Sequence, residues 1–268
     1  MKSRLICLLL LLCGTTACLE LGSDTEKATP KTECQVISSN TSFSRYGSNY
    51  SYNLIYTFNS AGLLTHISSP DTSAVNIRFG YDAQQRLITE QFASYTWTST
   101  YNEQGQLAKQ TRSFEVSEGR FEIYFLEHYY NLAGKLAESR YYAQEPNGDV
   151  LLYTYHYSYT DGKMSGIEKL SAQDSRHYKA TFTTDDRKKP LPSLSMHLLF
   201  MFRDEHLPVM GILPGNITSF TNLQATDDPD FEAYTTNITY NDAGYPTTIV
   251  KTYAGGGTER TVYTYSCR

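Results

Sequence analysis

One short pattern recurs along the chain and dictates most of what it can become: an aromatic residue, then Asn or Asp, then a brief turn, then Leu. The copies are Phe58-Asn59-Ser60-Ala61-Gly62-Leu63-Leu64, Tyr81-Asp82-Ala83-Gln84-Gln85-Arg86-Leu87 and Tyr101-Asn102-Glu103-Gln104-Gly105-Gln106-Leu107. A fourth is Tyr130-Asn131-Leu132-Ala133-Gly134-Lys135-Leu136, a shortened one Tyr159-Thr160-Asp161-Gly162-Lys163-Met164, and the last Tyr240-Asn241-Asp242-Ala243-Gly244-Tyr245-Pro246. The pattern is that of a β-hairpin. Asn or Asp opens the turn by hydrogen bonding its own backbone, and Gly takes the left-handed position. Between these turns lies a second set of breakers: Ser69-Pro70-Asp71, Ala93-Ser94, Ser117-Glu118-Gly119, Pro146-Asn147-Gly148, Gln173-Asp174-Ser175 and Gly255-Gly256-Gly257. Two alternating sets of turns, about 8–12 residues apart, describe an up-and-down antiparallel meander.

The stretches between turns alternate with period two. Leu151, Tyr153, Tyr155, Tyr157 and Tyr159 share one face, against Leu152, Thr154, His156 and Ser158. Tyr95, Trp97 and Tyr101 alternate with Thr96, Thr98 and Thr100. One apolar and one wet face suit an antiparallel sheet. The expected fold is all-β, with roughly 14–16 strands curled into a barrel-like, porin-like sheet, because so wide a sheet curls or closes. A lipid-facing band should be aliphatic at mid-height, with aromatics confined to two girdles. Here Tyr runs along whole strands, so the aromatic face is read as inward and the Thr/Ser/Asn face as outward. Residues 190–203 break the pattern, as a short buried helix or an irregular core-covering loop.

The N-terminus carries Lys2 and Arg4, an apolar run from Ile6 to Leu12, and the small residues Thr15, Thr16 and Ala17 before Cys18. That run is too short to span a bilayer and reads as a secretory signal over residues 1–17. Cysteine directly after small residues resembles the lipobox of bacterial lipoproteins, although Thr15 stands where Leu is usual. The resemblance implies cleavage before Cys18 and acylation of its thiol, with 18–33 as a tether and 34–268 as one β domain. Cleavage removes Lys2 and Arg4 from 23 basic residues and nothing from 28 acidic ones, leaving a net charge of −7. No basic footprint remains for nucleic acid. The membrane is therefore reached through the lipid, not through charge. Of five cysteines, Cys7 and Cys13 would leave with the signal and the lipobox resemblance would have Cys18 acylated, the alternative being an ordinary secretory signal cleaved nearby. Cys34 and Cys267 remain, and in an oxidising compartment they are expected to pair.

The hairpins resemble the tyrosine–aspartate repeats (YD/RHS-type) of large bacterial shell-forming proteins. The lipobox, the hairpin run, Asp185-Asp186-Arg187-Lys188-Lys189-Pro190, Asn216-Ile217-Thr218-Ser219 and the final Tyr240 hairpin together resemble a family of bacterial lipoproteins. That family is a domain of unknown function with a porin-like fold. The likeness departs at Lys189, where Asn is expected, and at Gln85, where the turn Gly is missing. It implies an exported protein, lipid-anchored to the outer membrane of a Gram-negative bacterium, and supplies no catalytic residues.

The six histidines form no His-x-x-x-His pair, and Asp227-Asp228-Pro229-Asp230 lacks the spacing of a calcium loop, so no metal or other cofactor is expected. No Gly-x-Ser-x-Gly elbow or phosphate-cradling loop is present. The unusual feature is the 23 tyrosines. Tyr95, Trp97, Tyr101, Tyr153, Tyr155 and Tyr157 are the candidate ligand-binding residues, since aromatic faces with polar tips suit sugar rings or peptides. The expected function is a non-enzymatic envelope lipoprotein that binds a glycan or peptide through this curved sheet. The alternative is a structural or assembly component with a filled core that contacts envelope proteins, and a glycan hydrolase ranks third.

Overall fold

A computed structural model of the chain describes residues 33–45, 47–73, 75–191, 213, 215–223 and 232–268. The signal, Cys18, the tether before Glu33 and most of the 190–203 insert lie outside the described residues. The expected number of strands is met at its upper bound. Sixteen antiparallel strands close into one barrel, each paired with its neighbours in sequence and the last with the first. They are β1 (Cys34–Arg45), β2 (Ser48–Phe58), β3 (Leu64–Ser68), β4 (Asn76–Tyr81), β5 (Leu87–Gln91), β6 (Tyr95–Tyr101), β7 (Leu107–Ser117) and β8 (Arg120–Tyr130). There follow β9 (Leu136–Glu145), β10 (Gly148–Thr160), β11 (Lys163–Ser171), β12 (His177–Thr184), β13 (Ile217–Asn222), β14 (Tyr234–Tyr240), β15 (Pro246–Tyr253) and β16 (Thr258–Cys267). Among the described residues there is no helix, and so none long and apolar enough to cross a membrane. The barrel closes at β1 and β16, where Cys34 and Cys267 face each other across the ladder and form a disulfide.

All the aromatic–Asn turns lie at one end of the barrel, with both chain ends of the domain. The Asn or Asp side chain clamps each turn. Asn59 Oδ1 accepts from the amides of Ala61 and Leu63, Asp82 Oδ1 from Gln84 and Arg86, and Asn131 Oδ1 from Ala133 and Lys135. Gln85, in place of the usual glycine, still adopts the left-handed backbone at φ 61°, because the clamp holds that turn without it. A β-bulge precedes the aromatic of each repeat, so that it pairs with the Leu position of its own hairpin: Tyr81 with Leu87, Tyr101 with Leu107, Tyr130 with Leu136.

The aromatic hydroxyls then link one repeat to the previous one. Tyr81 donates to the carbonyl of Leu64 at 2.8 Å, Tyr101 to Leu87 at 2.8 Å, Tyr130 to Leu107 at 2.9 Å and Tyr159 to Leu136 at 2.7 Å. Tyr265 donates to Pro246 at 2.7 Å, and so carries the same device across to the last hairpin. Side chains just before the Leu reach the other way: Gln106 to the Gly134 carbonyl, Lys135 to that of Gly162, and Arg86 over the Tyr101 ring at 4.5 Å. This rim is a continuous braced ring.

The inward face is aromatic and the outward face mostly polar, as the alternation requires. Two apolar clusters pack on the inward face. One joins Trp97, Leu126, Tyr141, Tyr155, Tyr157, Ile167 and Phe220, and the other Val36, Tyr56, Ile67, Ile77 and Phe79. The described ends of the long β12–β13 connection feed both. Leu213 is buried in the first cluster and Leu191 packs on the second. Asp185 pins this connection: it accepts from the Asn216 amide at 3.0 Å and from the Tyr240 hydroxyl, while Asn216 Nδ2 donates to the Lys188 carbonyl at 3.0 Å.

Two details depart from simple alternation. Leu151 does not share the face of Tyr153 and Tyr155, because the register shifts between Leu151 and Tyr153, which turns Leu152 onto the core. The outward face is also not uniformly Thr, Ser and Asn. On β8 and β9 it carries Phe125 and Tyr142, stacked at 4.9 Å with Lys109 over Phe125 at 3.5 Å.

Candidate functional site

The six aromatic residues singled out above do not form one platform. Tyr101 sits in the braced rim. Tyr155 is 1% exposed, and Trp97 and Tyr157 are buried with it in one cluster. Tyr95 and Tyr153, like Tyr101, are half-buried. Tyr95 stacks on Phe92 at 4.3 Å. Tyr153 belongs to a ladder of parallel rings, Phe114–Tyr124–Tyr141–Tyr153, with centroids 6.0, 5.8 and 6.4 Å apart. Rings stacked face to face cover one another's faces, and a sugar ring needs a free face to stack on.

Charged residues outside these six candidates complete this interior. The Arg112 guanidinium lies 5.2 Å from the Tyr124 ring, 5.3 Å from Phe114, 5.7 Å from Tyr95 and 5.9 Å from Trp97. Lys169, 2% exposed, lies 4.6 Å from Tyr153 and 5.2 Å from Tyr178. Glu90, buried, is cross-strand neighbour to Trp97, itself opposite Arg112. On the other side Lys251 pairs with Glu259 at 2.9 Å, and Glu259 also accepts from the Tyr253 hydroxyl. Aromatic faces and carboxylates therefore surround these cations on the inward face.

A polar chain crosses five strands beneath the repeat rim. The Tyr157 hydroxyl donates to Ser139 Oγ at 3.0 Å, and Ser139 Oγ lies 2.8 Å from His128 Nδ1. His128 Nε2 lies 3.3 Å from Gln110 Oε1, and Gln110 Nε2 donates to Ser99 at 3.5 Å. One proton arrangement uses every link: Ser139 donates to Nδ1, and the neutral imidazole donates from Nε2. Burial holds the His128 pKa down at about 4 from 6.5, consistent with that neutral ring. Burial raises the Tyr157 pKa as well. A serine on a histidine suggests a nucleophile and its base. Ser139 is 0% exposed, however, and cannot meet a substrate. The chain instead satisfies polar groups that the barrel encloses. Only the cross-strand register brings these five residues together, and the sequence pattern carries no signal for them.

Among the described residues no group of three or more His, Cys, Asp or Glu side chains is placed to hold a metal ion. No protein-family model matches the chain, and no curated protein matches it significantly. Among solved structures, a porin-like protein from Bacteroides uniformis is similar at 15% identity and TM-score 0.55, over 86% of this chain and 98% of that one. A porin-like protein from Bacteroides vulgatus matches at 9% identity and TM-score 0.34, over 87% and 99% of the two chains. A chain of the TcdB2-TccC3-TEV structure matches at 12% identity and TM-score 0.30, over 85% of this chain and 16% of that one. The first likeness shows a shared porin-like barrel fold; the other two carry no argument.

Proposed function

We propose that this protein is a non-enzymatic lipoprotein of the cell envelope, exported and anchored through Cys18 to the outer membrane of a Gram-negative bacterium. In this reading the barrel is a filled scaffold that works through what it displays. The observation that carries the reading is the buried chain from Tyr157 to Ser99, together with Tyr155 and Lys169, each at most 2% exposed. A 16-stranded barrel ordinarily encloses an aqueous channel. Here the inward side chains are spent on one another. The polar outward face suits water better than hydrocarbon.

The single tryptophan tests the filled interior directly. Trp97 is 6% exposed, so its emission should be blue-shifted and resist quenching by iodide. Ready quenching would show an open lumen and reject the scaffold reading. Anchoring is tested separately, with an alkyne fatty acid fed to cells expressing the full chain. Cys18→Ser should lose the label and leave the membrane fraction; an unlabelled, soluble wild type would reject the anchor.

A second reading, in which the inner sheet binds a glycan or peptide, is favoured by one observation: Tyr95 and Tyr153 are half-buried beside Arg112 and Lys169. It predicts that a soluble oligosaccharide or peptide raises the melting temperature and that Tyr153→Ala abolishes the shift.

A further inference from the structure

The end of the barrel opposite the braced rim has a different surface. Its β7–β8 and β9–β10 hairpins are neighbours, since β8 pairs with β9. They expose Val116 at 42% and Phe121 at 56%. Behind Phe121 on the outward face of β8 come half-buried Ile123 and then Phe125, only 4% exposed and stacked on half-buried Tyr142, with half-buried Leu151 opposite Tyr142 on β10. Val116 and Phe121 are the exposed tip of this apolar strip. Around its open end stand Glu115, Glu118, Glu145 and Asp149, all exposed, with Arg120 as the cation of the two hairpins. Glu115 accepts a hydrogen bond from the Gly119 amide, a neutral partner that leaves its charge in place. At the other end of the strip the charges cancel: Lys109 lies 3.7 Å from Glu127, and Arg140 pairs with Glu138 at 2.5 Å.

We infer that this strip is a docking surface for a basic polypeptide segment carrying apolar side chains. An exposed aromatic with an exposed apolar neighbour, ringed by like charges, marks an interaction site rather than ordinary surface. Four carboxylates against one cation select a partner of the opposite sign and steer it in. The same charge disfavours anionic lipid. A second copy would bring carboxylates against carboxylates or against cations already paired. Glu33 bonds to Arg268 at the opposite end of the barrel. The inference requires neither the anchor nor the filled core.

The test uses the full chain carrying Cys18→Ser, kept free of detergent, and a labelled alternating Lys-Leu peptide followed by fluorescence anisotropy. Glu-Leu and Lys-Ser peptides of equal length are controls. The expected result is binding to Lys-Leu at least about tenfold tighter than to either control, a difference of about 1.4 kcal/mol. It should weaken as salt shortens the Debye length to about 3 Å at 1 M. Phe121→Ser should cost about tenfold. So should a triple variant with Glu118→Gln, Glu145→Gln and Asp149→Asn, which leaves the strip intact. Equal binding of Glu-Leu, or Lys-Leu binding unchanged in both variants, overturns the proposal. So does a dimer in sedimentation that Phe121→Ser dissolves, or capture on phosphatidylserine vesicles, since each assigns the strip to another occupant.

Discussion

The two ends of the barrel obey different rules. At the repeat end a single local motif, used over and over, sets turn geometry, bulge and inter-repeat bond together. The rim closes on itself through Tyr265 and the Cys34–Cys267 disulfide. At the opposite end no connection carries the motif and Val116, Phe121 and Leu223 are left in water, whereas at the repeat end only the long β12–β13 connection departs from it, and Leu132 is exposed in the β8–β9 turn. One end is thus committed to holding the barrel together, which frees the other to vary without cost to the fold. Side chains that serve a partner belong at the second end, because a change there disturbs no repeating brace.

That contrast can be broken by substitution, and the largest effect falls on the repeat end. Removing the disulfide with Cys34→Ser and Cys267→Ser is expected to cost about 5 kcal/mol by the chain-entropy estimate, less any native strain. Urea unfolding with and without reductant measures it; an unchanged midpoint would show that the ladder between β1 and β16 suffices alone.

Next in size is the buried histidine under the same rim. His128 has its pKa depressed in the folded chain, so its contribution is fully present above pH 6.5 and is lost as the pH falls towards 4. The loss approaches about 3 kcal/mol. Comparing His128→Gln with the parent between neutral pH and pH 4.5 isolates this slope from that of the carboxylates. The two should converge as the pH falls.

Gly215→Ala should cost about 2 kcal/mol, because an added Cβ would lie 1.9 Å from the Asp185 carbonyl oxygen and force open the pinned β12–β13 connection. Thermal melts would show the loss, and a neutral result would mean that the connection can shift. Tyr130→Phe removes one hydroxyl from the rim and should cost about 1 kcal/mol. The smallest effect belongs to the other end: Phe121→Ser should change stability by less than about 0.5 kcal/mol. A cost there equal to that of Tyr130→Phe would erase the distinction between the ends.

Much of this architecture was legible in the residues. Asn59, Asp82, Asn102 and Asn131 announce turns because their side chains bond nearby amides whatever lies around them. Alternation along Tyr95–Tyr101 and Tyr153–Tyr159 announces strands with one dry face. The candidate site was far less legible. Trp97, Tyr155 and Tyr157 look alike as ligand-binding aromatics and as core, because an aromatic side chain serves either purpose with the same chemistry. Leu151 was placed on the wrong face because a bulge leaves no mark in the alternation it interrupts. Phe121, Phe125 and Tyr142 were invisible as a group because they belong to adjacent strands and meet only across the outward ladder.

The sequence by itself determined the turns, the number of strands to within a few, the direction of the aromatic face and the two cysteines available to pair. Each of these rests on interactions within one hairpin or on a simple count of residues. Only the tertiary structure decided that the barrel closes, that two apolar clusters pack on its inward face, that Ser139 and His128 are sealed inside, and that acid and apolar side chains share one end. Those outcomes depend on register between strands and on which side chains meet across the barrel. Register is fixed by bulges and cross-strand packing summed over all sixteen strands.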